Sequence, residues 1–277
     1  MHLGTPIEAK SSALSAYNAA ATDFYNHAVN TFWDRAGEKT VARLQLSAGD
    51  KVLDVCCGSG ASALPAARAV GPGGSVLGID LAEHMIEVSR VRADDAGLDN
   101  IEFRVGDMMD LDLPPSSFDA VVCVFGIFFV PDMTEAVRTL WKLVRPNGRL
   151  AITTWGPSFF EPASTAFWDA VRQERPDLDR RFNPWDRISE PDALRELFTS
   201  AGVDAPEIKP EARLHCLHEP EDWWPMVLGT GYRGTIEQLD AAQRERVRER
   251  CLAYIRDHEV GAVDANVLYG HATKPGT

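Results

Sequence analysis

The sequence predicts an α/β fold built around a doubly wound, largely parallel β-sheet, and three observations lead to that prediction. The stretch VLDVCCGSGASA at 52–63 has the pattern of a buried strand that runs through a glycine loop into a helix. From residue 50 to 155, short apolar segments alternate with helical segments across brief connections, as in right-handed βαβ units. Residues 118–124 are apolar apart from Asp119, as expected of a central strand that is covered on both faces.

Each element within 50–155 has a local justification. Strands are predicted where short apolar runs follow turns, and helices where good helix formers precede a glycine or a proline. The helix after the glycine loop ends at Gly71-Pro72-Gly73-Gly74, the next ends at Gly97, and Asp132 is expected to cap a later one. The predicted strands are 51–55, 75–79, 101–105, 118–124 and 149–154, and the predicted helices are 61–70, 83–96 and 133–144.

The segments that flank this alternation are predicted to build a lid and a substrate-side insert. Residues 7–46 look helical and carry many aromatic side chains, so we expect 1–48 to form an N-terminal helical lid on a domain spanning 49–277. Residues 157–258 should contribute a largely helical insert after the fifth strand. The remaining predicted elements are a strand at 207–218, an amphipathic helix at 235–258 and a final strand at 262–272.

Composition and charge disfavour several classes of protein. The chain has 277 residues and a net charge of −13, from 28 basic and 41 acidic side chains, which argues against a nucleic-acid binder. The best apolar run, VVCVFGIFFV, is too short to span a bilayer, and MHLGTPIEAKSS lacks the apolar core of a signal peptide. Five cysteines make no disulfide framework, and no metal-ligand spacing occurs. We therefore expect a reduced, cytoplasmic protein with no membrane span and no metal site.

The glycine loop and the end of the second strand indicate a ligand that contains a nucleoside. Gly58-Ser59-Gly60, followed by Ala63, fits the loose GxGxxA pattern, which taken alone predicts little more than a tight turn. Glycines there let a ligand approach the backbone, and the helix that follows presents free N–H groups. Asp80 lies 20 residues beyond Gly60, where a carboxylate can accept hydrogen bonds from ribose hydroxyls.

Two further carboxylates help to decide which nucleoside-containing ligand the site would bind. Asp54 lies inside the first strand, where it would repel a pyrophosphate and suit a cation. After the third strand, Gly106-Asp107-Met108 offers a carboxylate for an adenine amino group and a thioether for its ring. An adenosine with positive charge and no phosphate describes S-adenosylmethionine, which carries an ammonium and a sulfonium. NAD is the alternative that these carboxylates disfavour.

Four segments in order resemble those of class I S-adenosylmethionine-dependent methyltransferases: VLDVCCGSG, VLGIDLAEHMIEVSR, IEFRVGDMMDLDLPPSSFDAVVCVFGIFFVPD and LVRPNGRLAITTW. Residues 50–155 are similar to the methyltransferases of ubiquinone and menaquinone biosynthesis and to many small-molecule methyltransferases. The resemblance implies a Rossmann-like, doubly wound seven-stranded sheet, mostly parallel with the last strand antiparallel. Cys56 replaces the first glycine of the family's DxGxGxG loop, so we expect a backbone without positive φ there.

The resemblance also implies roles for individual residues. Asp54 would hold the methionine ammonium end, and Cys123 would offer its carbonyl to the same group. Asp80 would bind the ribose hydroxyls, while Asp107 and Met108 would bind the adenine. The predicted cofactor-binding residues are Asp54, Cys56, Gly58, Gly60, Asp80, Leu81, Met85, Asp107, Met108 and Cys123.

The acceptor is predicted to be a small, apolar or aromatic molecule that is methylated by in-line displacement. His215 and His218 are candidate bases, but a lone histidine is more often structural, so no catalytic residue is assigned. Aromatic side chains could close the acceptor pocket or simply dock helices on the sheet. The predicted acceptor-side residues are Tyr17, Tyr25, Trp33, Phe128 and Trp155.

Two alternatives to a methyltransferase stay open. The same glycine loop could serve an NAD(P)-dependent oxidoreductase, or the chain could bind S-adenosylmethionine without catalysing a reaction. The amphipathic stretch AAQRERVRERCLAYIRDH could be a lid or the surface of a homodimer. The predicted partners are thus a small-molecule methyl acceptor and, if this stretch is a dimer surface, a second copy of the chain, with no nucleic acid.

Overall fold

The computed structural model describes residues 14–15, 17–19, 21, 31–179 and 183–276. The strands are β1 (Lys51–Val55), β2 (Ser75–Asp80), β3 (Ile101–Val105), β4 (Phe118–Val124), β5 (Val144–Trp155), β6 (Glu207–Glu211), β7 (Leu214–Cys216), β8 (Ala262–Asp264) and β9 (Val267–Thr273). The helices are α1 (Phe32–Leu44), α2 (Ala63–Val70), α3 (Glu83–Asp95), α4 (Met133–Leu143), α5 (Ala163–Glu174), α6 (Pro191–Ser200), α7 (Trp223–Leu228), α8 (Arg233–Ile236) and α9 (Ala241–Asp257).

The described strands build one seven-stranded sheet in the order β3-β2-β1-β4-β5-β9-β6. The first five strands in the chain run parallel, and β9 runs antiparallel to both β5 and β6, which confirms the predicted fold class. Strand β1 pairs with β2 on one side and with β4 on the other. Successive connections therefore leave in opposite directions from β1, and the carboxyl ends of β1, β2 and β4 meet at the crevice that this reversal creates.

Two predicted strands in the last third of the chain are each split in the structure. The predicted strand 207–218 divides into β6 and β7, and the predicted strand 262–272 divides into β8 and β9. The halves belong to different sheets, because β7 and β8 pair only with each other in a two-stranded ribbon. At the division, Ala265 N–H donates to Arg213 O at 2.8 Å and Arg213 N–H donates to Asn266 Oδ1 at 2.9 Å. The segment between β6 and β7 and the segment between β8 and β9 therefore leave the large sheet side by side.

Other boundaries differ from the prediction for local reasons. Strand β5 begins at Val144, because a register shift lets that residue pair with Phe118 before the regular pairing of Ala120 with Arg149. Helix α9 begins only at Ala241, where Asp240 and Gln243 form a capping box, and α8 is a separate short helix. None of the described helices is long and apolar enough to cross a membrane.

Helix α1 packs unusually close to the glycine loop. A Cβ atom on Gly37 would lie 2.2 Å from the carbonyl oxygen of Ala61, so only glycine permits this approach. One helical turn later, the Thr40 and Thr153 hydroxyls hydrogen-bond at 2.7 Å in the buried interior between α1 and β5. The described end of the leader is therefore fixed against both the sheet and the loop.

Candidate functional site

A cavity of about 420 Å³ opens at the carboxyl ends of β1, β2 and β4. Its volume is within the range of roughly 300–1,000 Å³ that small-molecule sites occupy. Most of its lining is apolar, and the charged side chains among the described lining residues are all carboxylates. The described residues that line it are Leu14, Tyr17, Trp33, Cys56, Cys57, Gly58, Ser59, Ala61, Ser62, Asp80, Leu81, Ala82, Met85, Gly106, Asp107, Met108, Met109, Val124, Phe125, Gly126, Phe129, Val130, Pro131 and Asp132.

Cys56 begins the loop after β1 with a φ of 55°, and the expectation of a non-positive φ there was wrong. A left-handed backbone costs a non-glycine residue about 1–2 kcal/mol. The surroundings hold it in place: a Cβ atom on Gly126 would lie 2.3 Å from the Cβ of Cys56, and Cys56 Sγ lies 3.7 Å from Met108 Sδ. The strained residue thus lies between the ends of β4 and β3 and faces the cavity.

Asp80 joins the end of β2 to the glycine loop. Its Oδ2 accepts a hydrogen bond from Gly58 N–H at 2.8 Å, and its Oδ1 accepts one from Ala82 N–H at 2.8 Å. Burial raises the pKa of Asp80, and the hydrogen bonds from Ala82 and Gly58 oppose that rise. Each carboxylate oxygen has a second lone pair, so the group can accept further hydrogen bonds from a ligand.

Asp54 lies behind the loop rather than in the cavity wall. It is 1% exposed, and Ser62 Oγ donates to its Oδ2 at 2.7 Å. No hydrogen bond reaches its buried Oδ1 in the described part of the chain. Burial raises the pKa of Asp54 to about 7, and the hydrogen bond from Ser62 opposes that rise. The same bond explains why α2 begins at Ala63 and not at 61, since Ser62 is held back toward β1.

Four other predicted cofactor residues lie together at the far side of the cavity, after β2 and β3. Met85 on α3 and Met108 after β3 are buried, with exposures of 2% and 5%, and Leu81 lines the wall beside them. Asp107 also lines the cavity, and its Oδ1 accepts a hydrogen bond from Met109 N–H at 3.0 Å. These side chains surround a space that is apolar on its faces and acidic at one edge.

Gly60 and Cys123 do not line the cavity. Gly60 has a φ of 87°, and a Cβ there would lie 2.2 Å from Leu64 Cδ1, so it permits the turn into α2. Cys123 is fully buried within β4, next to Val55 of β1, and its Sγ lies beneath Gly126. Val124, Phe125 and Gly126 line the cavity instead, as the chain leaves β4.

Aromatic rings form the wall on the β4 side. Phe125 stacks on Trp155 with ring centroids 4.0 Å apart, and Trp33 meets the Phe125 ring edge-on at 5.1 Å. Tyr17 contacts Phe129 edge-on at 5.5 Å. Of these rings, Tyr17, Trp33, Phe125 and Phe129 line the cavity, whereas Trp155 is 2% exposed and supports Phe125 from behind.

The remaining candidates lie elsewhere. Phe128 packs on Trp185 at 5.6 Å, outside the cavity. Buried His215 meets Phe32 edge-on at 5.4 Å, while exposed His218 lies on the loop after β7, and neither lines the cavity. Tyr25 lies outside the described residues.

The lining residues that the sequence analysis did not single out mostly follow strand ends directly. They include Ser59, Ala61 and Ser62 after β1, Met109 after β3, and the segment from 129 to 131 after β4. Their position directly after predicted strands could have identified them, since ligands in doubly wound folds bind beyond the carboxyl ends of strands. The choice between neighbours, such as Phe128 and Phe129, depends on the short helical turn at Ile127–Phe129, which sequence periodicity does not resolve.

Comparison with known proteins agrees with this geometry. Residues 52–148 match the family described as methyltransferase domain. Demethylmenaquinone methyltransferase of Listeria welshimeri is 37% identical over 114 residues, 41% of this chain and 48% of that protein. Nocamycin O-methyltransferase of Saccharothrix syringae is 34% identical over 152 residues, 55% of this chain and 50% of that protein. The chain therefore spans about half the length of these curated relatives.

A solved structure shares the fold over most of the chain. The YcgJ protein of Bacillus subtilis superposes with a TM-score of 0.59 at 18% identity, over 88% of this chain and 99% of that one. At this level of identity the likeness concerns the fold alone. It extends beyond the matched methyltransferase segment, since it covers 88% of the chain.

Proposed function

Residues 52–148 form a methyltransferase domain in a class I S-adenosylmethionine-dependent methyltransferase fold, and from this premise we propose that the chain transfers the methyl group of S-adenosylmethionine to a small, apolar or aromatic acceptor. The observation that carries the proposal is the charge of the cavity. Asp80, Asp107 and Asp132 line it, and the described lining residues include no lysine, arginine or histidine. Such a wall suits a ligand with ammonium and sulfonium groups and disfavours one with phosphates.

The residues present fit the cofactor. Asp80 would accept hydrogen bonds from the ribose hydroxyls, and the apolar walls of Met85 and Met108 would hold the adenine, with Asp107 at its amino group. Cys56 and Gly58 would lie along the methionine portion. The cavity lining and the hydrogen bonds that Asp80 accepts from Gly58 and Ala82 support these roles.

Asp54 would act on the ammonium from behind the loop. Its unpaired Oδ1 is a buried acceptor, which is costly to leave without a partner. Because Ser62 both lines the cavity and donates to Asp54, we assign Ser62 as the link between the carboxylate and the ligand, directly or with a water molecule. Gly60 and Cys123 are assigned to the shape of the loop and of β4 rather than to contact.

The acceptor would bind against the aromatic wall. Trp33, Phe125 and Phe129 offer rings to a planar or apolar molecule, and the Trp155 stack fixes the Phe125 ring. We assign Phe128 and Trp155 to the support of this wall. A nocamycin O-methyltransferase and a demethylmenaquinone methyltransferase are among the relatives, and both names support a small-molecule acceptor.

The main contribution of the protein to methyl transfer would be to position the acceptor atom relative to the methyl group. S-adenosylmethionine supplies a methyl group on a sulfonium that is a good leaving group. The aromatic wall would exclude water and hold the acceptor atom on the transfer axis, which can contribute several kcal/mol to catalysis. Among the described lining residues the proton acceptors are carboxylates, so an acceptor hydroxyl would lose its proton to Asp132, which lies at the β4 side, or to solvent.

Calorimetric titration with S-adenosylmethionine, S-adenosylhomocysteine and NADH tests the proposal. Micromolar binding of the first two without an NADH signal is expected, and it should weaken in Asp107→Asn but not in the exposed α3 variant Asp94→Asn. Binding of NADH alone would favour the oxidoreductase alternative. Acceptors would then be screened with a labelled methyl group, and cofactor binding without transfer to any small apolar acceptor would favour a non-catalytic role.

A further inference from the structure

The side chain of Arg92 connects α3 to the glycine loop and to α1. Its Nη1 donates to Ser59 O at 2.9 Å and to Ser59 Oγ at 3.1 Å, while its Nη2 donates to Asp34 Oδ1 at 2.9 Å. A guanidinium is planar and presents its donors in a fixed fork, so contacts on both nitrogens fix its orientation. Three segments that lie far apart in the sequence therefore meet at one side chain.

The Ser59 carbonyl is held by a group that lies outside the cavity. Ser59 itself lines the cavity and is 4% exposed, whereas Arg92 is not among the described lining residues. Gly58 and Gly60 on either side have φ values of 52° and 87°, which glycine adopts without strain. Because glycines restrict the backbone so little, the orientation of the peptide between Ser59 and Gly60 depends on what its carbonyl contacts.

The partly exposed ion pair of Arg92 with Asp34 adds little to the stability of the fold. Their side chains are 24% and 44% exposed, and exposed pairs of this kind contribute little to the free energy of unfolding. The pair does restrict the guanidinium that holds Ser59 O. Its main effect is therefore on the conformation of the glycine loop.

Arg92 acts on a different part of the ligand site from Asp80. Asp80 accepts a hydrogen bond from Gly58 N–H at 2.8 Å and would hold the ribose. Ser59 lies between Gly58 and Ser62, which the proposed function assigns to the methionine portion and to the ammonium group. A change in the orientation of the Ser59 carbonyl would therefore affect the amino-acid end of the cofactor and not its nucleoside.

Resting on the proposed function, we infer that Arg92 is a positioning residue, which holds the Ser59 carbonyl so that the glycine loop keeps the shape that receives the amino-acid end of the cofactor. Arg92 acts through Ser59 and not by contact with the ligand, and Asp34 orients its guanidinium. Without this contact the loop would occupy several conformations, and the ligand would bind to the competent fraction only.

Arg92→Gln tests the inference by calorimetry with the full chain. Affinity for S-adenosylhomocysteine should fall by roughly three- to tenfold, about the effect of one hydrogen bond. Affinity for 5′-deoxy-5′-methylthioadenosine, which has the nucleoside but lacks the amino-acid end, should not change. A merely structural role would weaken both ligands. The matched control is Arg90→Gln on the same helix, whose Nη2 donates to Phe103 O at 2.8 Å in β3 and which should leave both affinities unchanged.

Two further variants test the path of the effect. Arg92→Lys keeps a cation that can reach the Ser59 carbonyl but loses the fork, so it should recover part of the affinity for S-adenosylhomocysteine. Asp34→Asn should cause a smaller loss for the same ligand, and adding it to Arg92→Gln should cause no further loss, because Asp34 acts through Arg92.

Three results would overturn the inference: unchanged affinity for S-adenosylhomocysteine in Arg92→Gln, an equal loss for both ligands, or additive losses in the double variant. If Arg92→Gln fails to fold, Asp34→Asn decides alone, and equal affinity of this variant and the unmodified chain for S-adenosylhomocysteine would overturn it. If the unmodified chain binds neither ligand, the proposed function itself fails, which is a distinct result.

Discussion

The amide of Gly58 donates a hydrogen bond of 2.8 Å to Oδ2 of Asp80, so the loop after β1 and the end of β2 are one structural unit. The carboxylate that would hold the ribose also fixes the glycine loop that would lie along the cofactor. A change at either residue therefore affects both the ligand and the loop.

Replacing Asp80 with alanine should weaken S-adenosylhomocysteine binding by at least about tenfold, because hydrogen bonds to a charged group are worth roughly 1.5–3 kcal/mol. It should also lower the free energy of unfolding by about 1–3 kcal/mol, because the Gly58 and Ala82 amides lose their acceptor. Calorimetry and urea denaturation measure the two effects, with Asp94→Ala as the control. Full affinity in Asp80→Ala would remove this residue from the site.

Asp54 should make both stability and cofactor affinity depend on pH. Its folded pKa of about 7 lies above the ordinary value of 3.8, so the neutral carboxyl stabilises the fold. That contribution is complete below about pH 4 and is lost as the pH rises through 7, at about 1.4 kcal/mol for each pKa unit. Urea denaturation from pH 4 to 8 should therefore show a falling free energy of unfolding that is flatter in Asp54→Asn.

Cofactor binding should have the opposite pH dependence. Ionised Asp54 attracts an ammonium group, so affinity for S-adenosylmethionine should rise between pH 6 and 8 as this carboxyl loses its proton. The rise should be absent in Asp54→Asn, which keeps the shape of the side chain. An identical pH profile in the variant would show that Asp54 does not interact with the ligand.

Replacing Cys56 with glycine should cost less stability than replacing it with alanine. Both variants lose the contact of Sγ with Met108, but only glycine relieves a φ of 55°, which is worth about 1–2 kcal/mol. Thermal or urea denaturation of the two variants gives the difference directly. If alanine is as stable as glycine at this position, the left-handed backbone is not retained in solution.

Gly37→Ala should destabilise the chain although alanine is the better helix former by about 1 kcal/mol. The added Cβ would lie 2.2 Å from Ala61 O, so α1 must move away from the glycine loop. We expect a lower unfolding midpoint and weaker binding of S-adenosylhomocysteine. Gly73→Ala is the matched control, since a Cβ there meets no atom within 4 Å. A stabilised Gly37→Ala protein would contradict the close packing of α1 on the loop.

Much of the fold and part of the site could be predicted because their signals are local. The short apolar runs of β1, β3 and β4 mark where these strands begin and end, and the predicted bounds agree with the structure. Asp80 and Asp107 stand out because each follows a strand whose carboxyl end reaches the same edge of a parallel sheet. The sign of φ at Cys56 carried no such signal, because it depends on contacts with Gly126 and Met108, both distant in sequence.

The sequence by itself determined the alternating α/β order and the strand–loop–helix unit at 52–63, and it placed the carboxylates Asp54, Asp80 and Asp107 around the predicted ligand site. Only the tertiary structure decided that Phe129 and not Phe128 faces the cavity, that Asp54 lies behind Ser62, and that the strands after 207 divide between two sheets. The physical reason is the range of the interactions. Periodicity and turn chemistry act over a few residues, whereas the facing of a side chain and the pairing of a strand depend on segments far apart in the chain.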